Sequence, residues 1–253
     1  MKTLKIAVLF LTVFLSTFKL QAQQNESKPT IIFVHGIWAD GSSWNDQIIA
    51  LQAKGYDVVS VQNPLTSLAD DVAATQKAID LVKGKVILVG HSWGGFVITQ
   101  AGNDPKVVGL VYVAAIAPDA GESLASLSAS VPPVELSKYF VLSGNDVYLS
   151  KEGISTQFAQ DLSPKQKDLV YAVQGPAPKS LFEDKSGAPA WKQKPSWYIV
   201  AKSDKAINPE LERIMAKRIN AKTTEIEASH VVMISHAKEV QKVIEEAANH
   251  RVK

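Results

Sequence analysis

The sequence predicts an α/β protein: a mostly parallel, doubly wound sheet flanked by helices, with one inserted helical cap. Three observations predict it. Short β-branched runs alternate with longer helical patterns, as parallel βαβ units do. The runs are apolar on both faces, as strands covered by helices on two sides must be. The alternation fails once, in a stretch rich in Ser, Pro and Gly between residues 118 and 195, and then resumes.

Thr30-Ile31-Ile32-Phe33-Val34 reads as the first buried strand, and Asp57-Val58-Val59-Ser60-Val61 as the second, after a helical stretch from Ser43 to Lys54. Leu68 to Val82 has helical spacing closed by Gly84. Val86-Ile87-Leu88-Val89 is the third strand, followed by a turn and a helix from about Gly94 to Ala101. Val107 to Val113 is the fourth strand. The interrupting stretch, taken as a cap over about 120–195, holds weak helices, the best being Pro164 to Val173 with Ser163 as N-cap. Trp197-Tyr198-Ile199-Val200 restarts the pattern. Pro209 to Ile219 is a helix with Pro in its first turn, Thr223 to Ile226 a last strand, and Val232 to Ala248 a last helix. Insertions of this kind sit over the carboxyl edge of the sheet, where ligands bind in α/β proteins.

The first 22 residues stand apart. Lys2 and Lys5 precede a mostly apolar run from Ile6 to Phe18, and Leu20-Gln21-Ala22 ends in a small residue before a polar stretch. That order reads as a secretory signal peptide, 1–22, and predicts export to the periplasm or the medium. Thirteen helical residues span about 20 Å, short of the roughly 30 Å hydrocarbon core, so no stable membrane anchor is expected after cleavage. Loss of Lys2, Lys5 and Lys19 from 27 basic residues leaves 24 against 25 acidic ones, net −1. Such a chain has no charge field for nucleic acid. With no cysteine, a thiolate nucleophile, a disulfide framework and Cys-ligated zinc are all excluded. The sequence leaves the oligomeric state open.

Gly90-His91-Ser92-Trp93-Gly94 lies between a strand and a helix. Gly on both flanks permits a tight turn that holds Ser92 exposed at a strained backbone angle, as a nucleophile. The helix after it offers N–H groups and a positive dipole end to a developing oxyanion. Val34-His35-Gly36-Ile37-Trp38 comes after the first strand, and its Gly lets the Ile37 N–H face the same point. Ile37 and Trp93 are therefore the expected oxyanion donors. Of the five histidines, His35 is read as structural, His91 leaves the turn in another direction, His236 falls inside the last helix and His250 in a tail. His230 remains as the base, on a loop at the carboxyl end of the sheet. Asp204, on another carboxyl-end loop, is the expected acid, with Asp119 as its competitor. The order Ser92, Asp204, His230 is the one this arrangement requires. Trp38 and His91 are placed in the substrate pocket.

With these motifs the chain resembles the α/β-hydrolases over residues 28–250. The stretch His35-Gly36-Ile37-Trp38-Ala39-Asp40-Gly41-Ser42-Ser43-Trp44 is similar to the small-lid branch of plant methyl esterases, hydroxynitrile lyases and bacterial esterases. The resemblance implies a Ser-His-Asp carboxylesterase acting on a small-molecule ester without metal or cofactor. Lyases of this branch carry Thr after the first His and Lys after the catalytic His. Here those positions are Gly36 and Val231, which favours the esterase. The same triad also serves cofactor-free perhydrolases and C–C lyases, and the same shell could serve as a non-catalytic ligand cup.

Overall fold

The computed structural model describes residues 28–250. The signal peptide read at 1–22 lies outside the described residues. β1 (Thr30–Val34), β2 (Val58–Val61), β3 (Val86–Ser92), β4 (Val107–Ala115), β8 (Ser196–Ala201) and β9 (Lys222–Ile226) form one sheet in the order β2-β1-β3-β4-β8-β9. Every pairing in it is parallel. The three intervening strands belong to the cap. The four inner strands are buried almost throughout, which is why their sequences read as unbroken apolar runs.

Helices cover the sheet. α1 (Asn45–Ala53) packs on α8 (Ala237–Ala248), and α2 (Leu68–Asp80) packs on α3 (Trp93–Ala101). α6 (Pro209–Arg218) crosses β8. α2 starts at Ser67, whose side chain accepts the Asp70 N–H, and carries Asp70 and Asp71 in its first turn, where the dipole favours them. The last helical stretch is not continuous. α7 (Val232–Ser235) and α8 are separate, with His236 (φ −127°) at the break. His236 is therefore partly buried at a helix start and not exposed inside a helix. Its Nδ1 pairs with the Ser235 hydroxyl at 2.9 Å.

The chain leaves the sheet after β4 and returns at β8. Between them are α4 (Leu124–Ser128) and α5 (Pro164–Val173), the latter with Ser163 and Gln166 closing a capping box. The cap is not helical alone. β5 (Phe140–Ser143), β6 (Asp146–Leu149) and β7 (Ala177–Pro178) make a three-stranded antiparallel sheet in it, and Ile154–Phe158 forms a π-helical turn. The β5–β6 hairpin turns at Gly144 (φ +61°), an angle that glycine adopts without strain. No described helix is long and apolar enough to cross a membrane.

Parallel strands all end on one edge, so the loops after β1, β3, β8 and β9 converge there under the cap.

Candidate active site

The turn from β3 into α3 is built on close backbone approaches. A Cβ on Gly90 would fall 2.5 Å from the Gly94 carbonyl oxygen, and one on Gly94 would fall 2.2 Å from the Val34 oxygen. A side chain at Gly90 would push α3 off β3, and one at Gly94 would push it off the end of β1. Between them Ser92 has φ 53° and ψ −120°. For a non-glycine residue this costs about 1–3 kcal/mol, and it persists only where the surroundings enforce it. Here the Ser92 carbonyl also accepts the Ile116 N–H at 3.1 Å.

Trp93 opens α3, so its N–H has no acceptor within the helix. Its indole turns inward, stacks on Phe96 (centroids 4.8 Å apart) and donates Nε1–H to Asp71 at 2.7 Å. Asp71 also accepts the Leu65 N–H at 2.8 Å, and Leu65 itself has φ 57°. Burial pushes the Asp71 carboxyl up to about 6, although both donors pull the other way. On the facing loop, a Cβ on Gly36 would fall 2.6 Å from the Ser92 Cβ. That contact accounts for glycine at this position and brings the loop that carries Ile37 up to Ser92. Ile37 and Trp93 both line the cavity in front of Ser92.

His230 and Asp204 are a buried pair, 1% and 4% exposed. His230 Nδ1 donates to Asp204 Oδ2 at 2.5 Å, which fixes the tautomer and leaves Nε2 as the basic edge. Asp204 Oδ1 accepts the Ala206 and Ile207 N–H groups at 2.6 and 2.9 Å. The imidazole lies between two rings, His91 at 4.6 Å and Phe158 at 4.9 Å. His91 Nε2 donates to the His230 carbonyl at 3.0 Å, and burial holds His91 neutral. Ser92 and His230 line the same cavity.

The cavity measures about 280 Å³ and is walled mostly by Trp38, Val131, Pro132, Leu136, Phe140 and Phe182. No Asp, Glu, Lys or Arg lines it among the described residues. Trp38, at φ 58°, donates its Nε1–H to the Val147 carbonyl at 2.9 Å, tying the loop after β1 to cap strand β6. Its ring meets Phe140, Phe158 and Phe182 at 5.4, 6.2 and 6.3 Å. Among the described residues no cluster of His, Asp and Glu is arranged to hold a metal.

The structure thus gathers Ser92, His230, Asp204, Ile37, Trp93 and Trp38 at one place. His91 is a correction. The sequence reading puts it in the pocket, but it is wholly buried, outside the cavity lining, and supports the His230 loop from beneath. The competing acid Asp119 is on the surface, paired with Lys192 at 2.7 Å. His35 bridges strand ends: its Nε2 accepts the Asn63 N–H at 2.9 Å. Sequence reasoning missed Phe140, Phe158 and Phe182. A signal for Phe140 existed in the hairpin pattern of Phe140–Ser143, Gly144-Asn145 and Asp146–Leu149.

Comparison with known proteins places these residues in a family setting. The model of the alpha/beta hydrolase family matches residues 31–243. An alpha/beta hydrolase, nvfD, from Aspergillus novofumigatus (strain IBT 16806) is 26% identical over 247 residues, covering 89% of this chain and 98% of that protein. A carbendazim hydrolyzing esterase from Nocardioides sp. (strain SG-4G) is 33% identical over 126 residues, 44% of this chain and 51% of its own length. The crystal structure of polyneuridine aldehyde esterase superposes with a TM-score of 0.76 at 20% identity, over 88% of this chain and all of that one.

Two outcomes test this geometry. Gly36→Ala forces a methyl onto the Ser92 Cβ; overpacking costs about 1–3 kcal/mol, and the expected result is a folded protein by circular dichroism with fluorophosphonate labelling of Ser92 slowed roughly tenfold. Trp93→Phe keeps the ring but removes the donor to Asp71. The lost hydrogen bond to a buried carboxylate is expected to cost about 1–3 kcal/mol, read as a drop of roughly 2–12 °C in a thermal melt. An unchanged melt would mean that Asp71 does not hold the turn.

Proposed function

The chain belongs to the alpha/beta hydrolase family, and we propose that within it this protein is a serine carboxylesterase acting through an acyl-enzyme on small, neutral, apolar or aromatic esters. The observation that carries this reading is the buried His230–Asp204 pair, opening on the same cavity as a Ser92 held at a left-handed turn.

In this mechanism His230 Nε2 takes the Ser92 proton as Oγ attacks the ester carbonyl carbon. The Ile37 and Trp93 N–H groups stabilise the oxyanion that forms. The imidazolium then gives its proton to the departing alkoxide, leaving acyl-Ser92 and the free alcohol. Water loses a proton to His230, attacks the acyl carbon, and releases the acid as Ser92 regains its proton. Asp204 stays ionised, holding Nδ1–H and stabilising the imidazolium.

The walls support neutral, apolar substrates. A cavity without charged side chains offers no compensation for desolvating a charged substrate, so neutral esters are favoured. The related protein named as an esterase supports the ester bond as the target. Val231, next to the base, places no cation beside it, which supports the esterase over the lyase. Export after removal of residues 1–22 belongs to the same proposal and rests on the order of charge, apolar run and small residue at the N-terminus.

The expected result for Ser92→Ala is loss of p-nitrophenyl ester turnover to the background rate, with no fluorophosphonate adduct. Full turnover by that variant would overturn the assignment. Across a panel of esters, kcat/KM is expected to fall at least about tenfold when a charge is placed on an otherwise similar acyl group. For export, mass spectrometry of full-length protein expressed in a secreting bacterial host is expected to give a mature chain that starts at Gln23. A mature chain still carrying residues 1–22 would reject the signal reading.

A further inference from the structure

The ester mechanism leaves one buried carboxyl beneath the site without a task. α6 turns Leu211, Met215 and Ala216 inward, and Glu212 shares that buried side although its neighbours there are apolar. Its side chain is wholly buried. Oε2 accepts the Ala201 N–H at 3.0 Å, while Oε1 receives no hydrogen bond from any described donor. Ala201 links it to Asp204: the Ala201 N–H goes to Glu212 and the Ala201 carbonyl accepts the Asp204 N–H at 3.1 Å, so the two carboxyls belong to one turn and the Asp204 charge acts on Glu212.

Two carboxylates carry only acceptors, so a hydrogen bond between them requires a proton on one. Among the described residues, no other side chain that faces Glu212 gives it a hydrogen-bonding partner, and Arg213 is the one charge that favours its ionised form. From β8, the Tyr198 hydroxyl donates to the Ala115 carbonyl. From its own helix, Arg213 reaches the surface, where it pairs with Glu225 at 2.9 and 3.0 Å. From the loop after β8 comes Asp204 itself. Burial first, and then the Asp204 charge, push Glu212 well above the usual carboxylate range. The donors decide where the proton sits: Asp204 is held by three N–H groups and Glu212 by one. The better-solvated carboxylate keeps the charge.

We propose that Glu212 is a positioning residue: as a neutral carboxylic acid it donates a hydrogen bond from Oε1 to the Asp204 carboxylate and so fixes the acid that orients His230. The inference rests on the triad reading of Ser92, His230 and Asp204. It has a kinetic consequence that mere space filling lacks. A donor on Asp204 draws part of the carboxylate charge away from the imidazole. Without it the imidazolium is better stabilised, and the base takes up its proton at a higher pH.

The test compares Glu212→Gln, which keeps a neutral donor of similar shape, with Glu212→Leu, which fills the space without one. kcat/KM for a p-nitrophenyl ester is measured against pH, with infrared spectra recorded in H2O and D2O. The expected pattern is a Gln variant within a few-fold of wild type, its acid limb unmoved. The Leu variant should lose about tenfold with its acid limb raised by about one pH unit. The infrared spectrum of the wild type at neutral pH should contain the carbonyl band of a protonated carboxyl, moved by D2O and missing from the Gln variant. A Gln acid limb lowered by about a unit would show that Glu212 had carried a charge. That result, or a wild-type spectrum without the band, overturns the proposal, and neither depends on the Leu variant folding. Failure of the esterase reading looks different: no ester turnover and no labelling of Ser92 in the wild type, with the infrared band still present.

Discussion

The site depends on how closely three backbone segments approach at the carboxyl end of β3. Gly94 lies so near the Val34 carbonyl, and Gly90 so near Gly94, that neither tolerates a Cβ. This contact holds the start of α3 against β1 and obliges Ser92 to take its left-handed angle. The strain of about 1–3 kcal/mol at such a residue is small against the packing of the inner strands, which are buried almost throughout. A rigid sheet can therefore keep a hydroxyl in a conformation that the chain alone would avoid. The same approach explains the loop after β1. Gly36 sits against the Ser92 Cβ, and Ile37, the next residue, lines the same cavity as Ser92.

Around that turn the protein has buried an unusual set of titratable groups, each with a different solution to the cost of burial. His91 and His35 are held neutral by burial and hydrogen-bonded to backbone. Asp71 is given two donors, one of them the indole of the residue directly after the nucleophile. Asp204 has two backbone N–H donors, from Ala206 and Ile207, and the imidazole N–H of His230. Unpaired buried charge is expensive, and these partners allow one ionised group to sit next to an imidazole in a dry place.

The sheet is legible in the sequence because its physics is repetitive. Strands buried on two faces must be apolar runs, and Thr30–Val34, Val86–Val89 and Trp197–Val200 each stand within the observed strands. Ser92, His230 and Asp204 are legible for a related reason: each stands at or just past the end of a strand, and parallel strands deliver their C-terminal loops to one edge. The cap is poorly legible. Its strands have two to four residues, too short for a period to establish itself, and its π-helical turn at Ile154–Phe158 has no sequence signature. His91 is misplaced by the sequence reading because neighbouring residues in a strand point to opposite faces. Adjacency to Ser92 in sequence thus puts it on the other side, under the His230 carbonyl. The break at His236 is hidden because α7 and α8 together keep one helical apolar pattern.

The division of labour between sheet and cap limits how this site can change. The reacting groups stand on loops of the main sheet, while Val131, Pro132, Leu136, Phe140 and Phe182 come from the cap. Substitutions in those cap segments can reshape the cavity without moving Ser92 or Asp204. The separation is incomplete at two points. Phe158 lies against the His230 ring, and Asp161, just beyond it, accepts the Ser229 N–H at 2.8 Å. Gln160 adds a bond to the Ser203 carbonyl, next to Asp204. The residues from 158 to 161 therefore brace both the His230 and the Asp204 loops, so a change of cap that disturbs them also reaches the His230–Asp204 pair. Variation compatible with activity should accordingly concentrate in the cap on the far side of the cavity, around Val131 to Phe140, and spare the turn that holds His230.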